Sequence, residues 1–158
     1  WIVGKRKEFG INETWLISSD KDWDLLIADD VSRFSTVTRK ETTVGNWDEH
    51  YKFDIDMFLT FKCLAGDVGD NIPGIKGIGP KRAEILIKEY GDLFDIYNAC
   101  PIDSKYKHIQ ELNENAERLL LNAELMDIES YSEQAIIEAN MDLEDLSSQI
   151  REYLNGSS

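Results

Sequence analysis

Apolar and polar positions along the chain change their period near residue 54. Before it, apolar residues come in short clusters. Trp15-Leu16-Ile17, within residues 13–18, is a continuous apolar run of the kind a strand shows when both of its faces are covered. The run ends in the polar break Ser18-Ser19-Asp20-Lys21-Asp22. Residues 31–36 and 41–44 are short and rich in β-branched side chains, and read as further strands. From Asp54 the period is helical: Met57, Phe58, Phe61, Leu64 and Ala65 fall on one face. Ala83, Leu86, Ile87 and Tyr90 form an i, i+3, i+4, i+7 stripe closed by Gly91 as a C-cap, with Lys81 and Lys88 on a different, exposed face. A short helix is expected over 92–98, another around Ala116, Leu119, Leu120 and Ala123, and a last one carrying Leu143, Leu146, Ile150 and Tyr153. Asn155-Gly156-Ser157-Ser158 reads as a flexible tail. The plan is the edge of an α/β sheet followed by a helical region.

The chain opens Trp1-Ile2-Val3, and residues 5–9 followed by Gly10 read as the end of a helix that starts upstream. The expectation is therefore the C-terminal part of a longer protein. At 158 residues there is enough chain for one domain with a real core. No apolar run approaches the length of a membrane span, and nothing at the start looks like a signal peptide. Cys63 and Cys100 lack metal-ligand spacing. Cys63 lies in an apolar helical pattern, which favours a buried thiol and an intracellular, reducing compartment.

A net charge of −14 argues at first sight against a nucleic-acid partner. Its distribution weakens that objection. Residues 111–158 hold twelve acidic side chains against Arg118 and Arg151, so most of the excess lies there. Residues 71–90 carry Lys76, Lys81, Arg82 and Lys88 against Glu84 and Glu89. A phosphate backbone would meet that local patch.

Three groups of residues could carry chemistry. Asp20 and Asp22 follow a strand, point the same way on an extended backbone, and offer hard oxygen donors suited to Mg²⁺ or Mn²⁺. Taken alone they read rather as a solvated turn, where Asp is common. Asp67 and Asp70 are three apart at a helix end and would share a face, beside Gly66 and Gly69, which leave room for a backbone or ligand. Alone they read rather as a helix terminus with Asp70 capping the next turn. Asp24, Asp29 and Asp30 read as surface charge. The third group is Ile75-Lys76-Gly77-Ile78-Gly79-Pro80-Lys81-Arg82-Ala83. Two glycines bracket one apolar residue, and a helix begins directly afterwards with Pro80 at its first position. Such a turn directs backbone N–H groups outward at a helix N-terminus, a setting for phosphate, with Lys81 and Arg82 on neighbouring phosphates and Ile78 plugged into the core.

Ser19-Asp20-Lys21-Asp22 together with the stretch from Gly66 through Asp67, Asp70, Gly74, Gly77 and Gly79 to Ala83 resembles the 5′-nuclease superfamily. That family includes bacteriophage 5′–3′ exonucleases, flap endonucleases and the 5′-nuclease domain of bacterial DNA polymerase I. The resemblance spans roughly residues 1–130 and is nearest to the small bacteriophage enzymes. It implies the edge of a PIN-like nuclease sheet followed by a helical region containing a helix–three-turn–helix, or helix-hairpin-helix-like, element. It implies a division at residue 50, with 1–50 as the C-terminal part of the nuclease core and 51–158 as the helical C-terminal region. By the resemblance, Asp20, Asp22, Asp67 and Asp70 are metal ligands, part of a carboxylate cluster for two Mg²⁺ (or Mn²⁺) ions that hydrolyses a phosphodiester without further catalytic side chains. Gly74, Lys76, Gly77, Ile78, Gly79, Lys81 and Arg82 are then the DNA-binding residues, and carbonyls of the turn can hold K⁺. The implied partners are branched or duplex DNA with a 5′ end, in the cytoplasm of a bacterium or phage-infected host, and an N-terminal half carrying the remaining ligands. Without that half the chain should be inactive alone. A non-catalytic duplex-binding module is the alternative, and an interaction domain built on the acidic C-terminal third is a more distant one.

Overall fold

β1 (Thr14–Ile17) and β2 (Val31–Phe34) run parallel, Thr14 opposite Val31 and Ile17 opposite Phe34, and β3 (Glu41–Thr42) lies antiparallel on the far side of β2. A 3₁₀ helix over Lys21–Leu26 makes the crossover between the parallel pair. The computed structural model describes residues 1–156 and gives a mixed α/β fold. Ser157 and Ser158, expected in a C-terminal tail, lie outside the described residues, whereas Asn155 and Gly156 close the last helix instead of fraying. Internal contacts divide the chain into two units: Trp1–Thr43 with the segment from Ile128 onward, and Val44–Asp127.

In the first unit, β2 alternates buried Val31 and Arg33 with half-buried Ser32 and Phe34, and Ser35 just after it is buried as well. β1 does not match the expectation of a strand covered on both faces. Trp15 and Ile17 are 43% and 63% exposed, while Thr14 and Leu16 turn inward. A run of three apolar residues cannot distinguish these cases, because a strand alternates faces whatever its composition. Residues 1–10 form successive turns rather than the end of a regular helix. Their close is helix-like, with Gly10 at φ +73° and Ile11 N–H donating to Arg6 O at 2.9 Å. Arg6 grips Asp30 through two hydrogen bonds, Nε–Oδ2 2.9 Å and Nη2–Oδ1 2.7 Å, so Asp30 is a structural partner rather than free surface charge. α7 (Ser132–Glu138) and α8 (Leu143–Gly156) complete this unit, Arg151 lying over the Phe9 ring. On α8, Leu143, Leu146 and Ile150 are half-buried as the stripe predicts, but the stripe continues through Leu154 and leaves Tyr153 exposed.

The second unit is helical. Trp47 of α1 (Trp47–His50) packs edge-on against Phe53 and Phe58, and α2 (Phe58–Ala65) carries Cys63 and Leu64 into the core. α3 (Pro80–Tyr90) buries Ala83, Leu86 and Ile87 and ends at Gly91, φ +103°, as the stripe predicts. α4 (Leu93–Ala99) opens with a capping box of Asp92 and Asp95. α5 (Lys107–Glu114) and α6 (Glu117–Met126) add Ile109, Leu112 and Leu119. α2 packs against α6 and α3. Cys63 is fully buried, and burial pushes its thiol up to about 12. No helix among the described residues is long and apolar enough to cross a membrane.

Candidate functional site

The connection from α2 to α3 depends on two backbones passing close together. α2 stops at Gly66, φ +78°, and the chain returns as β4 (Gly66–Asp67) paired antiparallel to β5 (Ile72–Pro73). A Cβ on Gly66 would lie 2.2 Å from Gly74 N, and one on Gly74 would lie 2.4 Å from Leu64 O. Only two glycines fit, so the room read at Gly66 is taken by the protein's own backbone. Ile75 N–H donates to Leu64 O at 2.9 Å across the crossing. Buried Asn122, on α6, clamps it from beneath, its Nδ2 donating to Cys63 O at 3.0 Å and to Pro73 O at 2.9 Å. Asn122 lies outside both motifs, and only its polarity within the apolar face of α6 could have signalled it.

From that anchor the turn runs outward and back. Ile75 and Ile78, each 3% exposed, plug it into the core, while Lys76, Gly77, Gly79, Lys81 and Arg82 stay exposed. Gly77 adopts φ +81°, and Pro80 takes the first position of α3, where a missing N–H costs nothing. Arg82 and Ala83 N–H groups bond to Gly79 O, and Ile78 N–H to Ile75 O. Among the described residues, nothing accepts from the N–H groups of Gly77, Gly79 or Lys81. They cluster at the positive end of an eleven-residue helix, an arrangement able to hold a phosphate. Arg82 is partly committed, because its Nη1 donates to Gly77 O at 2.6 Å and braces the turn. Lys76, with a side chain 78% exposed, reaches Glu111 at 3.6 Å.

Asp67 and Asp70 lie just before this turn. Because Gly66 ends the helix, they sit in β4 and the following turn rather than on one helical face, and the capping runs the other way: Asp70 N–H donates to Asp67 Oδ1 at 3.2 Å. Lys62, almost fully buried at the end of α2, places Nζ 2.9 Å from Asp67 Oδ2. That bond holds the Asp67 carboxyl below its usual range, against a smaller opposing effect of burial. The Asp70 carboxylate is exposed and accepts no hydrogen bond among the described residues. Asp67 is thus fixed by a buried cation, and the Asp70 side chain is open to solvent.

Asp20 and Asp22 belong to the other unit. Asp20 caps the Lys21–Leu26 helix, its Oδ1 accepting Asp22 N–H at 2.9 Å, and both side chains line a recess with Trp1, Trp23 and Leu26. Asp24 is not surface charge. It is fully buried and paired with Arg33, whose Nη2 donates to Asp24 Oδ2 at 3.0 Å and to Thr42 Oγ1 at 3.1 Å, while Nε also bonds Asp24. Arg33 Nη1 donates to Ser18 O at 3.1 Å, fixing the end of β1 two residues before Asp20. Pairing across nine residues leaves no local pattern, which is why the buried pair is invisible in the sequence. Carboxylate oxygens are the donors that Mg²⁺ and Mn²⁺ prefer, and the open Asp70 group is compatible with such an ion.

The model of the 5′–3′ exonuclease C-terminal SAM-fold family matches residues 54–152. The flap endonuclease of Escherichia phage T5 is 42% identical over 135 residues, covering 85% of this chain and 46% of that protein. A structure of the T5 5′-exonuclease with bound divalent metal ions (zinc) superposes with a TM-score of 0.83 at 38% identity, over 98% of this chain and 56% of that one. The T5 flap endonuclease in a pseudo-enzyme–product complex with DNA and metal ions gives 0.83 at 36% identity over the same shares, 98% and 56%. This chain spans about half the length of the T5 relative it matches.

Proposed function

This chain belongs to the 5′-nuclease superfamily, and we propose from that premise that it supplies the duplex-holding part of a divalent-metal-dependent 5′–3′ exonuclease or 5′-flap endonuclease acting in DNA replication. The observation that carries the reading is the α2–α3 turn. Three backbone N–H groups without acceptors among the described residues, those of Gly77, Gly79 and Lys81, lie in the turn and first residues of α3, beside Lys76, on a base held by Ile75, Ile78 and the Gly66–Gly74 crossing. A phosphate fits that arrangement, and the sequence of the DNA does not enter. The turn would act as the helix–three-turn–helix element of the family, with Gly74, Lys76, Gly77, Ile78, Gly79, Lys81 and Arg82 as its DNA-binding residues.

Asp20, Asp22, Asp67 and Asp70 are proposed as metal ligands. Divalent cations bound there would supply the Lewis-acid chemistry of phosphodiester hydrolysis. The chain's own part is to orient these carboxylates: Lys62 fixes Asp67, and the Asp24–Arg33 pair fixes the strand end before Asp20. K⁺ at the carbonyls of the turn would share Gly77 O with the Arg82 guanidinium. With four ligands of a larger set, this chain alone should cleave little, and cleavage should require the N-terminal part of the enzyme.

Duplex affinity measured against salt tests the turn, and 5′-flap cleavage with Mg²⁺ tests the carboxylates. Each phosphate contact contributes about 0.9 to the slope of log K against log salt. Replacing Lys81 and Arg82 together by Ala should flatten that slope by about two and weaken unrelated duplexes alike. Asp67→Asn in the complete enzyme should greatly slow cleavage while sparing DNA binding. An unchanged slope in the double variant, or full cleavage in Asp67→Asn combined with Asp20→Asn, would remove the corresponding half of the reading.

A further inference from the structure

We propose that the recess beside the turn, between α3 and the segment leading into α5, is a subsite for an unpaired nucleobase of the DNA that the turn holds. The inference rests on the reading above for how the DNA arrives, but its own observations are separate.

The recess has a volume of about 370 Å³, at the lower end of the range of small-ligand pockets, roughly 300–1,000 Å³. Ile85, Leu86, Ile102 and Ile109 contribute apolar surface, although Ile85 is 61% exposed. At its edge, Tyr106 and His108 stack with ring centroids 5.7 Å apart and planes 27° from parallel. Tyr106 is exposed, with Lys105 Nζ 5.9 Å from its ring centre. A flat apolar face presented to solvent beside a cation is the surface on which bases of single strands stack. Burial, aided by the Arg82 charge, lowers the His108 pKa, which keeps the ring a neutral stacking partner at physiological pH.

The polar groups suit a base as well. Glu89 and Asp103 offer acceptors for ring or exocyclic N–H groups, and Arg82 offers donors. The recess also touches the phosphate-binding turn directly. Arg82 lines it while bonded to Gly77 O, and His108 Cβ lies 3.3 Å from where a Cβ on Gly77 would stand. A nucleotide whose phosphate rests on the turn therefore has its base within reach of the Tyr106 ring. A base inside a continuous duplex cannot use that face, because both of its own faces are already stacked. The subsite thus selects DNA with an unstacked base at a gap or an end, such as a branched substrate provides.

The test uses this chain with two DNAs of one sequence: a continuous blunt duplex, and the same duplex with an unpaired 2-aminopurine at a one-nucleotide gap. Binding and 2-aminopurine fluorescence are read for wild type, Tyr106→Ala, Tyr106→Phe and Lys81→Ala, each checked for folding by its circular-dichroism melt. Wild type and Tyr106→Phe should quench the probe. Tyr106→Ala should lose the quenching and about tenfold in affinity for the gapped DNA only, as expected for one stacked base. Quenching retained in Tyr106→Ala, or an equal loss on both DNAs, would overturn the subsite. Lys81→Ala reports on the turn independently, because it should weaken both DNAs alike. If it weakens neither while Tyr106→Ala still loses the quenching, the subsite stands and the turn reading fails.

Discussion

Replacing Arg33 by Met would leave Asp24 as a buried carboxylate without its cation. Both partners lie deep in the sheet unit, Arg33 5% exposed and Asp24 fully buried, so solvent screening offers little relief. Removing one partner of a buried ion pair costs about 3–5 kcal/mol, because the remaining charge stays desolvated. Arg33 also donates to Thr42 Oγ1 and Ser18 O, and those acceptors would lose their donor. A protein of this size shifts its Tm by roughly 2–4 °C per kcal/mol. Arg33→Met should therefore melt about 6–20 °C below wild type. Asp24→Leu combined with Arg33→Met removes both charges and should recover most of the loss, since a buried pair gains little over apolar side chains of similar volume. Circular-dichroism melts of wild type, both single variants and the double variant complete the cycle. Mn²⁺ binding followed by electron paramagnetic resonance reads a second consequence of the proposal that Asp20 and Asp22 are metal ligands: with the Ser18 carbonyl released, Mn²⁺ affinity should fall. An Arg33→Met melt within about 1 °C of wild type, or a double variant no more stable than the worse single one, would refute the reasoning.

Gly74→Ala places a methyl 2.4 Å from Leu64 O, a backbone atom that cannot swing aside, and should cost about 3 kcal/mol or more; Gly79→Ala meets nothing within 4 Å, so its melt should match wild type while its methyl, beside the open N–H groups, weakens duplex binding. Asp30 is held below its ordinary value of 3.8 by the Arg6 hydrogen bonds, so the native state binds fewer protons there than the unfolded chain. Its contribution is full above the unfolded value and is lost as the pH falls through the lower native one; the gap in Tm between wild type and Asp30→Asn should be open at pH 7 and close on that acid side. Burial raises both thiols, Cys63 up to about 12, and Cys63 is fully buried, so a thiol reagent at pH 8 should modify Cys63 only as fast as the second unit opens, with half-buried Cys100 reacting first.

The turn was legible because its constraints are local. Gly77 and Pro80 each restrict the backbone on their own, and Ile75 and Ile78 repeat the core pattern on either side of Gly77, so a short stretch of sequence specifies most of the geometry. The helical stripes of α2 and α3 were legible for the same reason. α1, α5 and α7 leave no such signal: α1 is a single turn of four residues, and α5 and α7 begin after Tyr106 and Tyr131, with no capping side chain to mark their starts. What escaped in the candidate site depends on pairing at a distance. Asn122 is forty-nine residues from the Pro73 carbonyl it clamps, and no spacing rule connects the two. Lys62 is a different case. A lysine within the apolar run Phe58–Ala65 contradicts its own helix, and such a conflict between local pattern and composition is resolved by a counter-charge or by a side chain that reaches solvent; here it is the counter-charge. Asp67, five residues on, is the first acidic side chain after the helix ends, so the Lys62–Asp67 pair was within reach of the sequence. The Asp24–Arg33 pair offers no such clue, because Arg33 on a short strand next to Phe34 is as readily a surface position. A buried cation is legible where its neighbours make exposure impossible, and illegible where a strand gives it two faces to choose from.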